Sequence, residues 1–315
     1  MFLWPDHRHF RALARSLTPV SSERIEAALA NMFPGYSPVL VSSGRTGLEL
    51  ALEHLQLGRS DLVGIFPFAS LCVLEAVSRV ATPLAGPSTL HAPHRLIFHQ
   101  WGFVQEHHGT ASIVIEDAVD SLCAPGCQLM PAGGNHEVWS LPKIIGSLSG
   151  GVIWCRHAND AAKIRLMREG RKQGTELQWL LRWMGTWSST AHAYWSGVEA
   201  SKGPLSRLGS GEVWNLIHTW NHLVADRREK LALLKPFIPS WLPEPDMRLP
   251  CVVPISIDPH QASHLTALGI NSGFRHYERI HADGRRELVK MFPIPIHQDV
   301  SMEWLLKVRT ILESF

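Results

Sequence analysis

The sequence lacks a strong charge of either sign. Its 315 residues include 30 lysines and arginines against 28 aspartates and glutamates, which leaves a formal net charge of +2. A nearly neutral chain has no extended field to attract nucleic acid or an anionic membrane surface. It also lacks internal repeats and any apolar run of the roughly 18 residues that a membrane helix needs. We therefore expect no nucleic acid and no membrane among its partners.

Cysteines are few, odd in number and scattered. Of the five, only Cys123 and Cys127 lie close together in the sequence. No second close pair completes a zinc site, and the eighteen histidines do not stand beside carboxylates or cysteines at metal-ligand spacing. Unpaired thiols are typical of a reducing compartment, and the N-terminus shows no signal peptide. We therefore predict a cytoplasmic protein without a metal site.

An alternation of strands and helices is what the sequence does contain. Hydrophobic residues make up 45% of the chain, too much for disorder and enough for at least one core. Alternating strands and helices indicate an α/β fold, with helices on both faces of a mostly parallel sheet. Short apolar strands are predicted at 38–43, 61–66, 95–99, 112–117 and 151–156. Helices are predicted at 21–31, 46–55 and 70–80.

The pattern changes after residue 158. Residues 158–235 are predicted to be mostly helical and include a tryptophan-rich stretch at 179–195. A proline cluster at 236–250 is typical of a linker. We expect a large domain at 1–235 and a small α+β domain at 236–315. The elements predicted in the small domain are a strand, a helix, a strand and a final helix at 251–257, 259–268, 288–292 and 301–314.

A single lysine stands in an apolar, glycine-rich stretch. Lys143 lies between Trp139 and Gly151, and such surroundings disfavour an ammonium and predict a lowered pKa. A lysine of that kind can form a Schiff base with a carbonyl compound such as pyridoxal phosphate. An ordinary surface lysine is the alternative at this point.

A carboxylate ends a predicted strand whose core is fully apolar. Asp117 closes that strand, while Glu116 beside it faces the other side of the sheet. The carboxyl ends of parallel strands are where open α/β sheets place ligands. Enzymes that use pyridoxal phosphate need a carboxylate that keeps the pyridine nitrogen protonated. A helix N-cap is the alternative role for Asp117.

The segment Ser42–Gly47 joins a predicted strand to a predicted helix. Its small and hydroxyl residues expose backbone N–H groups at a helix N-terminus, which suits a phosphate. Arg45 adds a positive charge. The segment is not a P-loop, because no Gly-Lys-Ser/Thr follows at the required spacing. Any tight turn from a strand to a helix has a similar composition.

Two weaker patterns lie further along the chain. Arg275–Arg279 can meet a substrate carboxylate or phosphate, and a charged surface strand is the alternative. Trp179, Trp183 and Trp187 share one helical face, which favours a core or a subunit interface over a platform for stacked bases.

The three stronger elements, in their order and spacing, resemble the DegT/DnrJ/StrS family of pyridoxal-phosphate-dependent sugar aminotransferases. The resemblance covers most of residues 15–170 and, weakly, 250–315, and it identifies a short and divergent member. It is carried by Ser43-Gly-Arg-Thr-Gly47, His99-Gln-Trp-Gly102, Ile115-Glu-Asp-Ala118, and Lys143 followed by Gly150-Gly151.

The resemblance implies a role for each matching residue. Lys143 is expected to form the Schiff base with pyridoxal phosphate, and Asp117 to bind the ring nitrogen. These two are the candidate catalytic residues. The other residues expected to contact the cofactor are Gly44, Arg45 and Thr46 at the phosphate, together with Ser70, Asp120 and Ser140.

Several positions depart from the family pattern. Ser70 falls where the family has an aromatic side chain stacked on the cofactor ring, and Phe68 lies two residues away. Asp120 stands where the family usually has Gln or His, and Val138 where it has a serine that Ser140 can replace. The family's Asn-Tyr-Arg stretch has no clear match. These departures concern the sugar substrate more than the cofactor.

The fold implied by the resemblance is PLP fold type I. This is a three-layer α/β/α large domain with a mostly parallel sheet, plus a small C-terminal α+β domain, in a homodimer. The implied activity moves an amino group from an amino acid, glutamate, to a keto-sugar that is nucleotide-linked, in polysaccharide or natural-product biosynthesis. Two alternatives remain: a divergent enzyme with the same cofactor that acts on a non-sugar intermediate, and a non-catalytic relative that acts as a binding partner. Because Lys143 and Asp117 are retained, we favour an enzyme.

Overall fold

A seven-stranded sheet forms the centre of the computed structural model, which describes residues 3–5, 9–86, 89, 92–106, 111–171, 176–185, 203–270, 272–281 and 285–314. The first eight strands are β1 (Ser37–Val41), β2 (Leu62–Gly64), β3 (Thr82–Leu84), β4 (His94–Phe98), β5 (Ile113–Asp117), β6 (Ser121–Cys123), β7 (His136–Ser140) and β8 (Gly151–Cys155). In space the order is β1-β8-β7-β5-β4-β2-β3, with β6 outside this sheet. Strand β8 is antiparallel to both neighbours and every other pair is parallel. The predicted mostly parallel sheet is therefore confirmed.

Helices cover this sheet, and their starts follow the sequence signals. Ser21 accepts a hydrogen bond from the backbone N–H of Arg24, and Ser43 does the same for Thr46, so both serines cap helices. The helices are α1 (His9–Ser16), α2 (Ser22–Met32), α3 (Gly44–His54), α4 (Leu71–Val80), α5 (Leu141–Ile145), α6 (Ala158–Gly170), α7 (Glu176–Gly185), α8 (Arg207–Ile217) and α9 (Trp220–Leu234). The three helices predicted in the first hundred residues are all present as α2, α3 and α4.

Tryptophans form part of the largest core cluster. The ring of Phe33 lies edge-on to Trp139 at 5.3 Å and to Trp154 at 5.2 Å, and Trp220 stacks on Trp139 at 5.9 Å. Such ring pairs add to the free energy gained by burial. The indole N–H of Trp220 donates to the carbonyl of Cys123 at 2.8 Å, so its polar atom is satisfied. Part of the tryptophan enrichment therefore serves the core.

A second, three-stranded sheet lies in the C-terminal part. Its strands are β10 (Val252–Ile255), β11 (Arg275–Ile280) and β12 (Arg286–Pro295), in the antiparallel order β10-β12-β11. Helices α10 (Pro259–Ala267) and α11 (Met302–Glu313) accompany it. The division at residue 235 stays a prediction.

The prediction of a linker at 236–250 is wrong for its last three residues, 248–250, which form a strand. Strand β9 (Arg248–Pro250) pairs antiparallel with β6, and Leu249 opposite Leu122 is buried. Backbone pairing with a distant strand, rather than local composition, creates β9. The end of this segment therefore pairs with β6 before the chain enters the small sheet.

Some of the sequence patterns fall outside the described residues. Residues 107–108, with two of the histidines, and residues 186–195 of the tryptophan-rich stretch belong to this group. Within the described part of the chain, Trp179 is buried beside Leu148 and Trp183 is half-buried. No helix among the described residues is both long and apolar enough to cross a membrane.

Candidate active site

Three strand ends meet at one edge of the large sheet. Strand β1 ends before the Ser43 turn, β5 ends at Asp117, and β7 is followed at once by helix α5, which carries Lys143. These strands run in the same direction, so their carboxyl ends open on the same side, where α/β sheets bind ligands. A cavity of about 380 Å³ lies there. Its wall includes Trp4, Phe66, Phe68, Ser70, Phe98, Gln100, Asp117, Asp120, Lys143, Phe274, Arg275 and His276.

The amine of Lys143 has two close neighbours. Its Nζ lies 3.0 Å from Oδ1 of Asp120 and 4.9 Å from the ring centroid of Trp4. Nε1 of Trp4 donates to that same Oδ1 at 3.0 Å. The Lys143 side chain is 32% exposed, whereas Asp120 is buried. The cavity therefore presents a primary amine that is held by a carboxylate and partly covered by an indole.

The pKa of Lys143 departs from the sequence expectation. Burial acts to lower the pKa of the amine, but Asp120 and Asp117 favour its charged form and the net shift is upward. The expected lowered pKa is therefore wrong for this arrangement. A local sequence pattern shows the apolar neighbours of a lysine, but not the carboxylates that the fold brings to it.

Asp117 lies at the carboxyl end of β5 with an exposure of 1%. Burial raises its pKa to about 7, and the charge of Asp120 adds to the rise. Lys143 and the backbone N–H of Val119, 3.2 Å from Oδ1, act in the opposite direction. A buried carboxyl beside an amine is suited to a ring nitrogen that carries a proton, because the added positive charge would stabilise its ionised form.

Glu116 faces away from the cavity, as the strand period predicted. Its Oε2 lies 2.7 Å from Nε2 of His99, and its two oxygens accept from the N–H groups of Ala132 and Gly134. Nδ1 of His99 accepts from the N–H of Gln105 at 3.1 Å, so Nε2 carries the hydrogen and donates to Glu116. This network fixes the strand that holds Asp117.

The predicted phosphate turn is closely packed. The Thr46 hydroxyl lies 2.9 Å from the Ser42 hydroxyl and 3.1 Å from that of Ser43, whose oxygen also caps α3. A Cβ added to Gly44 would lie 3.3 Å from Cβ of Ser140. Gly151 comes closer still, because a Cβ there would lie 2.5 Å from the carbonyl carbon of Ser43.

The predicted cofactor residues are therefore only partly gathered in the cavity. Asp117, Asp120, Lys143 and Ser70 line it, whereas Gly44 and Ser140 lie beside each other and do not line it. Arg45 and Thr46 are not among the residues of the cavity wall. Burial lowers the pKa of Arg45.

Aromatic side chains that no sequence pattern assigned to the site complete the wall. Ser70 lines the cavity with its hydroxyl 2.9 Å from Sγ of Cys72. Phe68, 52% exposed, stacks on His276 with ring centroids 4.0 Å apart. No motif pointed to Trp4, and only the charged stretch pointed to Arg275 and His276, which β11 brings into the wall.

The described residues fit pyridoxal phosphate. An amine and a buried carboxyl line one cavity, and a serine-capped helix starts beside it. Oδ2 of Asp120 is buried without a hydrogen-bond partner among the described residues, so the wall retains an unused acceptor. No group of three His, Cys, Asp or Glu side chains in the described ranges is placed to hold a metal ion.

Comparison with known proteins extends this result. A family model described as "Putative PLP-dependent aminotransferase" matches residues 25–302. A search of curated proteins found no match.

Solved structures share the fold over nearly the whole chain. The sugar aminotransferase CalS13 from Micromonospora echinospora is 17% identical, with a TM-score of 0.63 over 99% of this chain and 99% of that one. A DegT DnrJ EryC1 StrS aminotransferase from Brucella abortus is 12% identical, with a TM-score of 0.62 over 98% and 94%. The putative sugar aminotransferase Spr1654 from Streptococcus pneumoniae, in its PMP form, is 12% identical, with a TM-score of 0.61 over 99% and 97%. These structures confirm the predicted fold, and the family model confirms the resemblance to pyridoxal-phosphate-dependent aminotransferases.

Proposed function

The chain belongs to the family of pyridoxal-phosphate-dependent aminotransferases whose model it matches, and from that premise we propose its substrates and the roles of its residues. We propose that it moves an amino group from an amino acid, glutamate, to a keto-sugar that is nucleotide-linked. The enzyme class, the cofactor and small-molecule substrates were all expected from the sequence. The proposed roles rest on one observation: Lys143 and Asp117 line the same cavity.

When bound, the cofactor supplies a pyridine ring that withdraws electrons from the carbon bearing the amino group. Asp117 would bind the ring nitrogen and hold its proton there. The N-terminus of α3, with the hydroxyls of Ser43 and Thr46, would bind the phosphate through backbone N–H groups. These two anchors would orient the ring toward Lys143.

Lys143 would move the proton of the reaction. It is the one primary amine among the described residues of the cavity wall. A free amine can take a proton from the carbon bearing the donor's amino group and return it elsewhere as a general acid. Asp120, 3.0 Å from the amine, would keep it within reach of both positions.

Arg275 would bind the carboxylate of the amino donor. It is exposed and lines the cavity, and no carboxylate of the described residues forms an ion pair with it. An arginine binds a carboxylate through two parallel hydrogen bonds, which fixes the orientation of the donor. An amino acid donor fits this cation.

The sugar acceptor rests on the names of structures with this fold, two of which are called sugar aminotransferases. A specific observation favours the second candidate, a non-sugar intermediate. The wall is rich in aromatic side chains, and both amide atoms of Gln100 are already bonded to the backbone of His276 and Glu278. The amide of Gln100 is then less available to sugar hydroxyls.

We also propose that the enzyme is a homodimer. Phe68 and Leu71 are largely exposed at or beside the cavity wall, so a second copy can bury them and complete the site. Light scattering of the purified protein tests this proposal, because a monomer's mass would exclude it. Cytoplasmic location stays a prediction.

The test of the proposed function is covalent attachment of the cofactor. Purified protein is incubated with pyridoxal phosphate, reduced with borohydride and digested, and the peptide that carries the added mass is identified. We expect attachment at Lys143, none there in Lys143→Ala, and normal attachment in the control Lys163→Ala. Attachment elsewhere, or none, would exclude the role of Lys143. Amino donors and ketone acceptors screened with the wild type then decide between sugar and non-sugar substrates.

A further inference from the structure

An N-terminal segment reaches the reacting amine. Leu3 and Trp4 line the same cavity as Lys143, although some 140 residues separate them in the chain. Trp4 makes two contacts there: its N–H donates to Oδ1 of Asp120, and its ring face lies over Nζ of Lys143. The segment also packs on the helix that carries the lysine, since a Cβ added to Gly146 would lie 3.1 Å from Cβ of Pro5.

Both side-chain contacts of Asp120 converge on one oxygen atom. Oδ1 receives the indole N–H and the Lys143 ammonium, each at 3.0 Å, while Oδ2 is buried without a partner among the described residues. A carboxylate that is free to turn would share its donors between both oxygens. The indole therefore holds the carboxylate group in one orientation toward the amine.

We propose that Trp4 and Asp120 form a positioning pair for Lys143, in which the indole N–H orients the carboxylate and the carboxylate holds the ammonium inside the cavity. The inference rests on the proposed role of Lys143. A lysine side chain has a flexible four-carbon stem, so an amine released from the cofactor would otherwise sample many positions. The pair keeps the amine beside the place where it must act again.

Other titratable groups surround the amine and must be separated from the effect of Asp120. Asp117 at the end of β5 and Cys72 at the start of α4 both act on its charge, and Cys251 lies behind it, with Sγ 3.4 Å from the Lys143 carbonyl. Arg275 and His276 line the wall of the same cavity. Substitutions at Asp120 and Trp4 leave all five of these groups in place.

The experiment measures Lys143 in protein freed of pyridoxal phosphate. Trace labelling with acetic anhydride from pH 6 to 12, followed by mass spectrometry, gives the pH at which half of the amine is reactive. Exposed Lys163 is the internal reference. The variants are Asp120→Asn, Asp120→Glu and Trp4→Phe, the last of which keeps an aromatic ring and removes the N–H. The matched controls are Asp160→Asn on α6, which pairs with His54, and Trp241→Phe, whose ring faces Arg279.

We expect Asp120→Asn to lower the Lys143 midpoint by at least one pH unit, about a tenfold change in free amine at a fixed pH below the midpoint. Asp120→Glu should recover part of that shift. Trp4→Phe should lower the midpoint by a smaller amount, because the freed carboxylate turns away from the amine. Both controls should match the wild type.

Two results would overturn the inference. An unchanged midpoint in Asp120→Asn would mean that the carboxylate does not hold the ammonium. Faster labelling at every pH in Trp4→Phe, with an unchanged midpoint, would mean that the indole only shields the amine. The measurement needs no bound cofactor, so a protein that fails to attach pyridoxal phosphate would disprove the proposed function and leave this result standing.

Discussion

At the scale of single residues, burial is the main cause of the raised pKa of Asp117. Its pKa is raised to about 7 by burial, so near neutral pH it is only partly ionised until a positive charge meets it. The ring nitrogen of the cofactor supplies that charge in the proposed function. The pairing of a buried acid with a protonated ring would therefore stabilise both.

Replacing Asp117 separates binding from turnover. We expect Asp117→Asn to retain covalent attachment of pyridoxal phosphate at Lys143 but to lower kcat by about 100-fold or more, because a neutral amide cannot hold the ring nitrogen protonated. Single-turnover spectroscopy with an amino donor provides the measurement. Asp160→Asn, on the far helix α6, serves as the control. A kcat near that of the wild type would disprove the role of Asp117.

Arg275 gives a second prediction for a single side chain. Arg275→Ala should raise KM for the amino donor by about 10-fold or more, since a charge-assisted hydrogen bond contributes about 1.5–3 kcal/mol. Arg279→Ala is the matched control, because Arg279 lies four residues along the same strand and faces Trp241 and Glu287. Equal effects of the two variants would contradict a specific carboxylate site.

Candidate site residues could be predicted where their order and spacing along the sequence form a recognisable pattern. Asp117 ends β5, Asp120 follows it, and Lys143 follows β7. The family resemblance carried by the sequence predicted that all three would contact one cofactor, and all three line one cavity. The raised pKa of Lys143 was not predictable, because it results from two carboxylates whose distances only the fold defines. Trp4 was not predictable for the same reason, as no neighbour in the sequence hints at its contact with Asp120.

At the scale of elements, the close approach of β8 to the proposed phosphate turn sets a steric limit. A Cβ at Gly151 would lie 2.5 Å from the backbone of Ser43 and 2.7 Å from that of Gly44. Gly151→Ala should therefore push the turn away from its place. We expect a loss of about 1–3 kcal/mol in stability, as for other overpacked sites, and weaker binding of pyridoxal phosphate.

The control for this prediction is Gly170→Ala at the end of α6. No atom lies within 4 Å of an added Cβ there, so alanine should leave cofactor affinity unchanged and stabilise the helix slightly. Thermal unfolding and fluorescence titration with the cofactor measure both variants. Equal cofactor affinities for the two would show that the contact at Gly151 is not limiting.

Elements buried on both faces were the predictable ones. Strands β1, β5 and β8 are apolar throughout their centres because helices cover both sides of the sheet. Strand β7 was missed because His136 and Glu137 make it look polar. Distant parts of the chain supply partners for its polar side chains: Arg248 binds both oxygens of Glu137, and Nδ1 of His54 lies 3.0 Å from Nε2 of His136.

For the whole molecule, buried acids make stability depend on pH. Glu212 on α8 accepts hydrogen bonds from the N–H of Leu148 and the indole of Trp179, and burial raises its pKa to about 7. The folded chain thus keeps this proton to a higher pH than the unfolded chain does. The free energy of unfolding should fall as pH rises from about 4.5 to about 7, and level off above that.

Glu212→Gln removes this dependence. The free energy of unfolding of the variant, minus that of the wild type, should increase from pH 5 to pH 8 by an amount on the order of 3 kcal/mol. This figure follows from about 1.4 kcal/mol per unit of pKa shift. Chemical unfolding of cofactor-free protein at the two pH values provides the measurement. Glu303→Gln is the control, because Glu303 is exposed and pairs only with Lys307 among the described residues. An identical pH profile for Glu212→Gln and the wild type would contradict the prediction.

The sheet order also has a consequence for how the chain folds. Strand β1 lies at the edge of the sheet, where β8 is its one partner among the described strands, and Ser43 bridges to Gly150 more than a hundred residues later. Closing so long a loop costs more conformational entropy than forming a contact between residues that are close in the sequence. Such long-range pairings therefore form slowly. During synthesis, β1 and the proposed phosphate turn that follows it cannot pair with β8 until Cys155 has left the ribosome. A nascent chain shorter than that lacks the backbone contacts that hold this turn in place.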